Sequence, residues 1–320
     1  MLTELAARLR QSLGIEQKKD IQAIAQKLLP QNGETLIHLG DDCAAIPDAD
    51  GYLLLAAEGM WPVLVETEPW FAGWCSVLVN VSDIYAMGGR PIAVVDALWS
   101  QSAEPAQALW DGMIAAAQTF NVPIVGGHTN CHSAYDALAV AILGRAKRLI
   151  TSFNARPGDA LVLLTDFNGQ PHPRYPFWDA ATQAEPIFLQ TKLNLLPHLA
   201  EKGLCVAGKD ISMGGILGTT LMLLETSGCG AVLDLDAIPC PPALSLEKWL
   251  LSFPSYGFLL SIRIDHWEKI CTLAQELGLI CDRIGVITGD RKLTLTQANN
   301  SFCFWNFATE PLTGFSRKGY

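Results

Sequence analysis

Residues 68–89 read EPWFAGWCSVLVNVSDIYAMGG, and this stretch decides the fold. Pro69 stands at a helical N-terminal position, where a missing N–H costs nothing, and Gly88-Gly89 supply the backbone freedom that ends a helix. At about 100° per residue, Trp74, Val77, Leu78, Val81 and Tyr85 fall on one face, while Ser76, Asn80, Asp83 and Met87 fall roughly opposite. Asn80 and Asp83 therefore sit together. One reading is a solvated outer face. The other is a partly buried carboxylate, because Met87, Val79 and Ile84 surround the polar pair, and such a group needs a cation or several donors.

Three further stretches place polar groups at the ends of apolar runs. Upstream, IHLGDDCAAI (residues 37–46) sets Asp41 beside Asp42 with no Lys or Arg in the decapeptide. Downstream, NVPIVGGHTN (121–130) is a strand ending in Gly126-Gly127-His128-Thr129, where two glycines admit a close ligand and expose N–H groups to an anion; the alternative is an ordinary turn. In GKDISMGGILGTTLMLLETSG (208–228), Asp210 ends a strand and Gly214-Gly215 open a helix, a geometry that binds phosphate through free N–H groups. Asp210 could equally be only a cap. Asp41, Asp42, Asp83 and Asp210 taken together suit magnesium, a hard cation that uses one or two carboxylates plus substrate phosphates.

Composition bounds the rest. A chain of 320 residues exceeds a single core, so two domains are expected. Half of it is hydrophobic and 17% charged, which excludes a disordered protein. A formal charge of -10 argues against nucleic acid as a partner. The amino terminus reads as an amphipathic helix rather than a signal peptide, and no run approaches the roughly 20 apolar residues that span a membrane. Nine cysteines without a CxxC pair suit a reduced, cytoplasmic chain and argue against zinc.

The pattern is α+β. Strands are expected at Thr35–Leu39, Tyr52–Ala57, Pro91–Trp99, Val122–Val125, Ala137–Arg145, Ala160–Leu164 and Cys205–Ile211, with a helix over Asp179–Ala200 and further strands in YGFLLSIRI and DRIGVITG. Turn chemistry at residues 154–159 marks a boundary. The organisation is a helical segment 1–34, a domain 35–150, a domain 151–290 and a strand or tail 291–320. NGQPHPRYP (168–176) is an ordered surface loop or lid, or else a disordered loop.

The ordered set GDDCAAI, VNVSDIYAMGGRP, GGHT, RPGDALVLL, DISMGGI and YGFLLSI resembles the aminoimidazole ribonucleotide synthetase (PurM-like) superfamily over roughly residues 35–290. Members include thiamine-monophosphate kinase, selenophosphate synthetase, formylglycinamidine synthetase and a hydrogenase-maturation enzyme. The resemblance implies an N-terminal domain whose strands form a β-barrel across a homodimer, a C-terminal α+β domain, and magnesium-assisted use of ATP to activate an oxygen of a small-molecule substrate. It implies metal ligands at Asp41, Asp42, Asp83 and Asp210, nucleotide contacts at Gly40, Asn80, Gly126, Gly127, Thr129, Gly214 and Gly215, and His128 as a candidate acid or base. Lys18 or Lys19 is a candidate cation over the phosphates, or an ordinary solvated charge.

Departures from the family pattern narrow the branch. Ala56-Ala57-Glu58 stands where the kinases carry Ser-Thr-Asp, and Met213 replaces the second aspartate of Asp-Ile-Ser-Asp-Gly. Thiamine-phosphate kinase is thereby disfavoured. The selenophosphate synthetase's reactive loop and the maturation enzyme's C-terminal cysteine are both missing. An AIR-synthase-related branch without an assigned substrate remains, either an ATP-dependent kinase or synthetase or a nucleotide-binding scaffold that has lost turnover. A two-metal phosphatase is the weaker alternative, since such sites use histidine ligands and this chain has six histidines.

Overall fold

The structure, a computed structural model, describes residues 2–32, 37–253 and 257–316, with only the backbone of 29–32. Three short helices open the chain: α1 (Leu2–Arg10), α2 (Leu13–Lys19) and α3 (Ile21–Asn32). They pack on the second domain, where Leu2, Ala6, Leu9 and Ile15 join its core.

The first domain is a five-stranded sheet in the order β1-β2-β5-β3-β4. Its strands are β1 (Ala44–Asp48), β2 (Gly51–Gly59), β3 (Arg90–Trp99), β4 (Ile124–Asn130) and β5 (Ala137–Ala146), and its helices are α4 (Pro62–Thr67), α5 (Pro69–Ala86) and α6 (Ala103–Phe120). Pairing is antiparallel except between β3 and β4. Helix α5 covers the inner face, and fourteen of its eighteen residues are buried. Glycines let it cross α6 closely: a Cβ on Gly73 would lie 2.0 Å from the Leu109 carbonyl oxygen, and one on Gly112 1.9 Å from that of Trp70. The outer face of the sheet is uncovered in the single chain, with Leu55, Val95 and Val125 respectively 48%, 42% and 63% exposed.

The second domain is a seven-stranded sheet, β14-β13-β10-β12-β6-β11-β9. It comprises β6 (Ala160–Thr165), β9 (Ala207–Asp210), β10 (Gly230–Asp234), β11 (Gly257–Ile262), β12 (Ile280–Thr288), β13 (Lys292–Gln297) and β14 (Asn300–Asn306). A separate hairpin pairs β7 (Gln170–Pro171) with β8 (Trp178–Asp179). The helices are α7 (Pro186–Leu193), α8 (Leu195–Glu201), α9 (Gly215–Ser227), α10 (Leu246–Leu250) and α11 (Trp267–Glu276). Strand β6 and helix α9 are buried along their whole length.

Three expectations need correction. Thr35 and Leu36 lie outside the described residues, and 37–39 are not a strand; the first strand is β1, which folds back on β2 through Ala49-Asp50. The helix expected over Asp179–Ala200 begins only at Pro186, because the Asp179 carboxylate accepts the N–H groups of Ala181 and Thr182 at 3.0 and 2.9 Å and holds a turn. It then divides into α7 and α8. Strand β4 runs through the glycine pair to Asn130 rather than ending before it. The proline-rich loop is ordered: its hairpin docks on the first domain, where His172 Nε2 lies 3.2 Å and Arg174 Nε 2.9 Å from the Glu68 carboxylate.

Candidate active site

A cavity of about 360 Å³ lies between the two domains. Its acidic wall is assembled from three elements. The turn before β1 brings Asp42, with Gly40 at φ +105°, a backbone setting that favours glycine. Helix α5 brings Asp83 and the end of β9 brings Asp210. One carboxylate oxygen from each of Asp42, Asp83 and Asp210 lies within 4.8 Å of the others.

Three carboxylates so close repel one another. At 4.8 Å and an effective dielectric of roughly 20, each pair of full charges costs about 3 kcal/mol. The protein relieves part of this through Lys209, 4% exposed, whose Nζ bonds Asp42 and lies 3.8 Å from Asp41. The rest appears as proton uptake. Burial, then the charge of Asp42, pushes Asp210 up to about 8, and burial with Asp210, Glu58 and Asp42 nearby raises Asp83 well above the carboxylate range. Asp83 Oδ2 is buried without a hydrogen-bond partner. A carboxylate with an orphaned oxygen, grouped with two other carboxylates, fits a divalent cation, whose charge would replace the protons.

Asp41 does not belong to the cluster. Its Oδ2 accepts the Ser152 N–H at 2.9 Å and its Oδ1 accepts the Asp42 N–H at 3.0 Å, so it braces the turn that presents Asp42. Burial pushes it up to about 6, against the pull of Lys209. Glu58, at the residue the kinase pattern gives to aspartate, lines the cavity at the end of β2, and desolvation by its surroundings raises its carboxyl despite Lys18. The longer side chain still delivers a carboxylate.

Of the two candidate lysines, Lys18 lines the cavity with its Nζ 3.4 Å from Ser212 Oγ. Lys19 turns away to Glu16 at 3.0 Å and Glu310 at 3.6 Å, over the Trp305 ring, because one residue along a helix rotates the side chain by about 100°. Lys19 is thus a structural ion pair. Gly40 lines the cavity as expected.

The other nucleotide candidates are placed elsewhere. Asn80 is fully buried in α5, donating to the Ser76 carbonyl at 2.8 Å, because this helix is enclosed all round and its polar stripe meets protein. Gly214 and Gly215 serve packing: a Cβ on Gly14 would come 2.4 Å from the Gly214 nitrogen, and one on Gly215 2.3 Å from the Leu250 carbonyl oxygen. The start of α9 is covered by α2 and α10, and only Ser212 and Met213 of that turn reach the cavity. Gly126, Gly127, His128 and Thr129 sit in the exposed edge strand β4 and none lines the cavity of its own chain.

Three contributions went unread in the sequence. Lys209 was masked by its neighbour Asp210, since a Lys-Asp pair looks like ordinary solvated charge. The aromatic side wall of Trp61, Phe177 and Phe253 comes together from three distant places, with Phe177 and Phe253 5.0 Å apart edge to face. Thr313 and Phe315 arrive from beyond the last strand.

Comparison with known proteins agrees with this architecture. Residues 40–146 match the AIR synthase related protein N-terminal domain and residues 156–297 match the corresponding C-terminal domain. An uncharacterized protein of Synechocystis sp. is 62% identical over 320 residues, 99% of each chain. The chain belongs to the AIR synthase related family. T. maritima PurL complexed with ATP shares the fold at a TM-score of 0.73 and 19% identity, covering 94% of this chain and 54% of that one. The chain thus spans about half the length of that PurL. AaThiL complexed with AMPPCP and TMP has a TM-score of 0.67 and 18% identity, covering 86% of this chain and 94% of that one.

Proposed function

We propose that this chain is an ATP-dependent, magnesium-requiring enzyme that activates an oxygen of a small metabolite by phosphoryl transfer, as a kinase or a synthetase. The observation that carries the reading is the triad Asp42, Asp83 and Asp210, within 4.8 Å of one another and with Asp83 Oδ2 unpartnered. Neighbours of the same fold bound to ATP and AMPPCP support a nucleotide in the same cleft. Magnesium, when bound, would neutralise the phosphate oxygens and hold them in line. The chain's own groups do the positioning: Lys209 fixes Asp42, Asp41 fixes the turn, and Lys18 brings a positive charge to the cavity. Phosphoryl transfer depends mainly on such placement and charge neutralisation.

The protein acts as a homodimer in this reading. The uncovered apolar face bearing Leu55, Val95, Val125 and Leu143 is what a second copy would cover, closing a β-barrel between the two. His128 and the Gly126-Gly127 pair lie on β4, at the edge of that sheet, so any part they take in nucleotide binding would be across the subunit boundary. Nine cysteines, none of them in a disulfide, favour the cytoplasm, and no helix among the described residues is long and apolar enough to cross a membrane.

Met213 on the cavity wall, in place of a carboxylate, favours the second reading, a nucleotide-binding scaffold or accessory subunit. Calorimetric titration with Mg-ATP and ADP release across a panel of ribonucleotides, amides and phosphorylated vitamins separate the two. Asp83→Asn is expected to weaken Mg-ATP binding by at least about 100-fold with the circular dichroism spectrum unchanged. Equal affinity in the variant would refute the site, and binding without turnover on any compound would favour the scaffold.

A further inference from the structure

Four residues of the cavity wall lie outside both regions that match the family: Lys18 and Ile21 near the start of the chain, Thr313 and Phe315 after β14. They are built as one unit. Gln22 Nε2 donates to the carbonyls of Pro311 and Leu312, each at 2.9 Å, and Gly314 lies against Gln22 and Ala25 of α3. From the other side Glu225, 3% exposed in α9, accepts the N–H groups of Leu312 at 2.8 Å, Thr313 at 2.7 Å and Gly314 at 3.3 Å, and the Thr313 hydroxyl at 2.6 Å. No cation pairs with this carboxylate among the described residues; a row of backbone dipoles carries its charge instead. The clamp sets the Phe315 side chain against Gly40, where a Cβ would come 2.6 Å from Phe315 Cβ.

The acidic cluster and its lysine come from the matched regions. The unmatched unit adds a different chemistry: a ring face at Phe315, aliphatic surface at Ile21, and a cation. Among the described residues Lys18 makes one hydrogen bond, to Ser212 at 3.4 Å, and it lies within the field of Glu58 and Asp210 on the cavity wall, where an anionic ligand would offset the burial of its ammonium group.

Building on the nucleotide reading above, we propose that α2, α3 and the clamped segment 311–315 form the acceptor subsite, which takes a small ring-bearing anion, an organic phosphate or carboxylate. Its charge meets Lys18 and Ser212, and its ring packs on Phe315 and Ile21. Glu225 is a positioning residue that acts through the segment it holds.

The test uses the full chain with magnesium and AMPPCP, and again without nucleotide. Phenyl phosphate, benzoate, benzyl alcohol and inorganic phosphate are titrated by ligand-observed NMR, while Mg-ATP affinity is measured by calorimetry. At least one ring anion should bind about tenfold more tightly than either benzyl alcohol or inorganic phosphate. Lys18→Met and Phe315→Ala should each weaken that anion about tenfold, Phe315→Tyr should restore most of it, and Mg-ATP affinity in Phe315→Ala should stay within about twofold. Glu225→Gln should weaken the anion in the same direction. The proposal is overturned if neither ring anion binds the parent, if benzyl alcohol binds as well, or if Phe315→Ala weakens Mg-ATP as much as the anion. Failure of the parent to bind Mg-ATP would overturn the nucleotide reading alone, because the subsite still stands or falls by the titrations without nucleotide.

Discussion

An aspartate as deep as Asp83 is tolerable only in company. With no metal the company is protons: Asp210 is pushed up to about 8 and Asp41 to about 6, mainly by burial, while both would titrate near about 4 in the unfolded chain. Between those values the native state binds more protons than the unfolded one, so stability of the ligand-free protein falls as pH rises from about 4 to about 8. Thermal melts without magnesium are expected to shift downward over that interval. Added Mg-ATP should recover more at pH about 8 than at about 6, because the carboxylates are then already ionised for the cation. A melting temperature flat with pH in both conditions would remove the electrostatic account. Asp42, Asp83 and Asp210 were legible because each ends or interrupts an apolar run where a free charge is costly. Asn80 lies off the cavity because the opposite face of α5, polar by pattern, also meets protein. Helical periodicity places Asn80 beside Asp83 but does not say which of them the cavity reaches.

At the level of elements, glycine pairs carried two meanings that spacing does not separate. Gly214-Gly215 looks like a phosphate-binding helix start, yet it admits α2 and α10 at backbone contact. Gly14→Ala is therefore expected to destabilise by about 1–3 kcal/mol, read in denaturant unfolding, since the new methyl meets main chain that cannot swing aside. Gly126→Ala makes the contrasting case, because a Cβ there meets nothing within 4 Å. Its stability should stay within about 0.5 kcal/mol of the parent. A large loss at Gly126 with none at Gly14 would reverse the assignment of which glycines serve packing. Most strands could be read from alternation and β-branched runs. Strands β1, β7, β8 and β10 and the late start of α7 could not, and β13 and β14 were foreseen only as a strand or tail, since their limits are set by side-chain turns and tertiary pairing.

For the whole molecule, the uncovered sheet face predicts association. Leu143→Asp together with Val125→Asp should raise the dimer dissociation constant by at least about 100-fold in analytical ultracentrifugation, as expected when charge replaces the apolar centre of an interface. An unchanged sedimentation coefficient would place the contact elsewhere or nowhere. The order of the two family regions and three of the four expected acidic positions were accessible from ordered motifs, whereas the bracing place of Asp41, the aromatic wall and the clamped segment were not, because nothing local marks residues that meet only after folding.

The cavity draws on Lys18, the turn at Gly40, the middle of α5, the end of β9 and Phe315. A nascent polypeptide emerging from the ribosome thus exposes the three mutually repelling aspartates well before it has the means to finish their enclosure. Until residue 315 has cleared the exit tunnel the pocket stays open on one side, so its enclosure is completed late in biosynthesis.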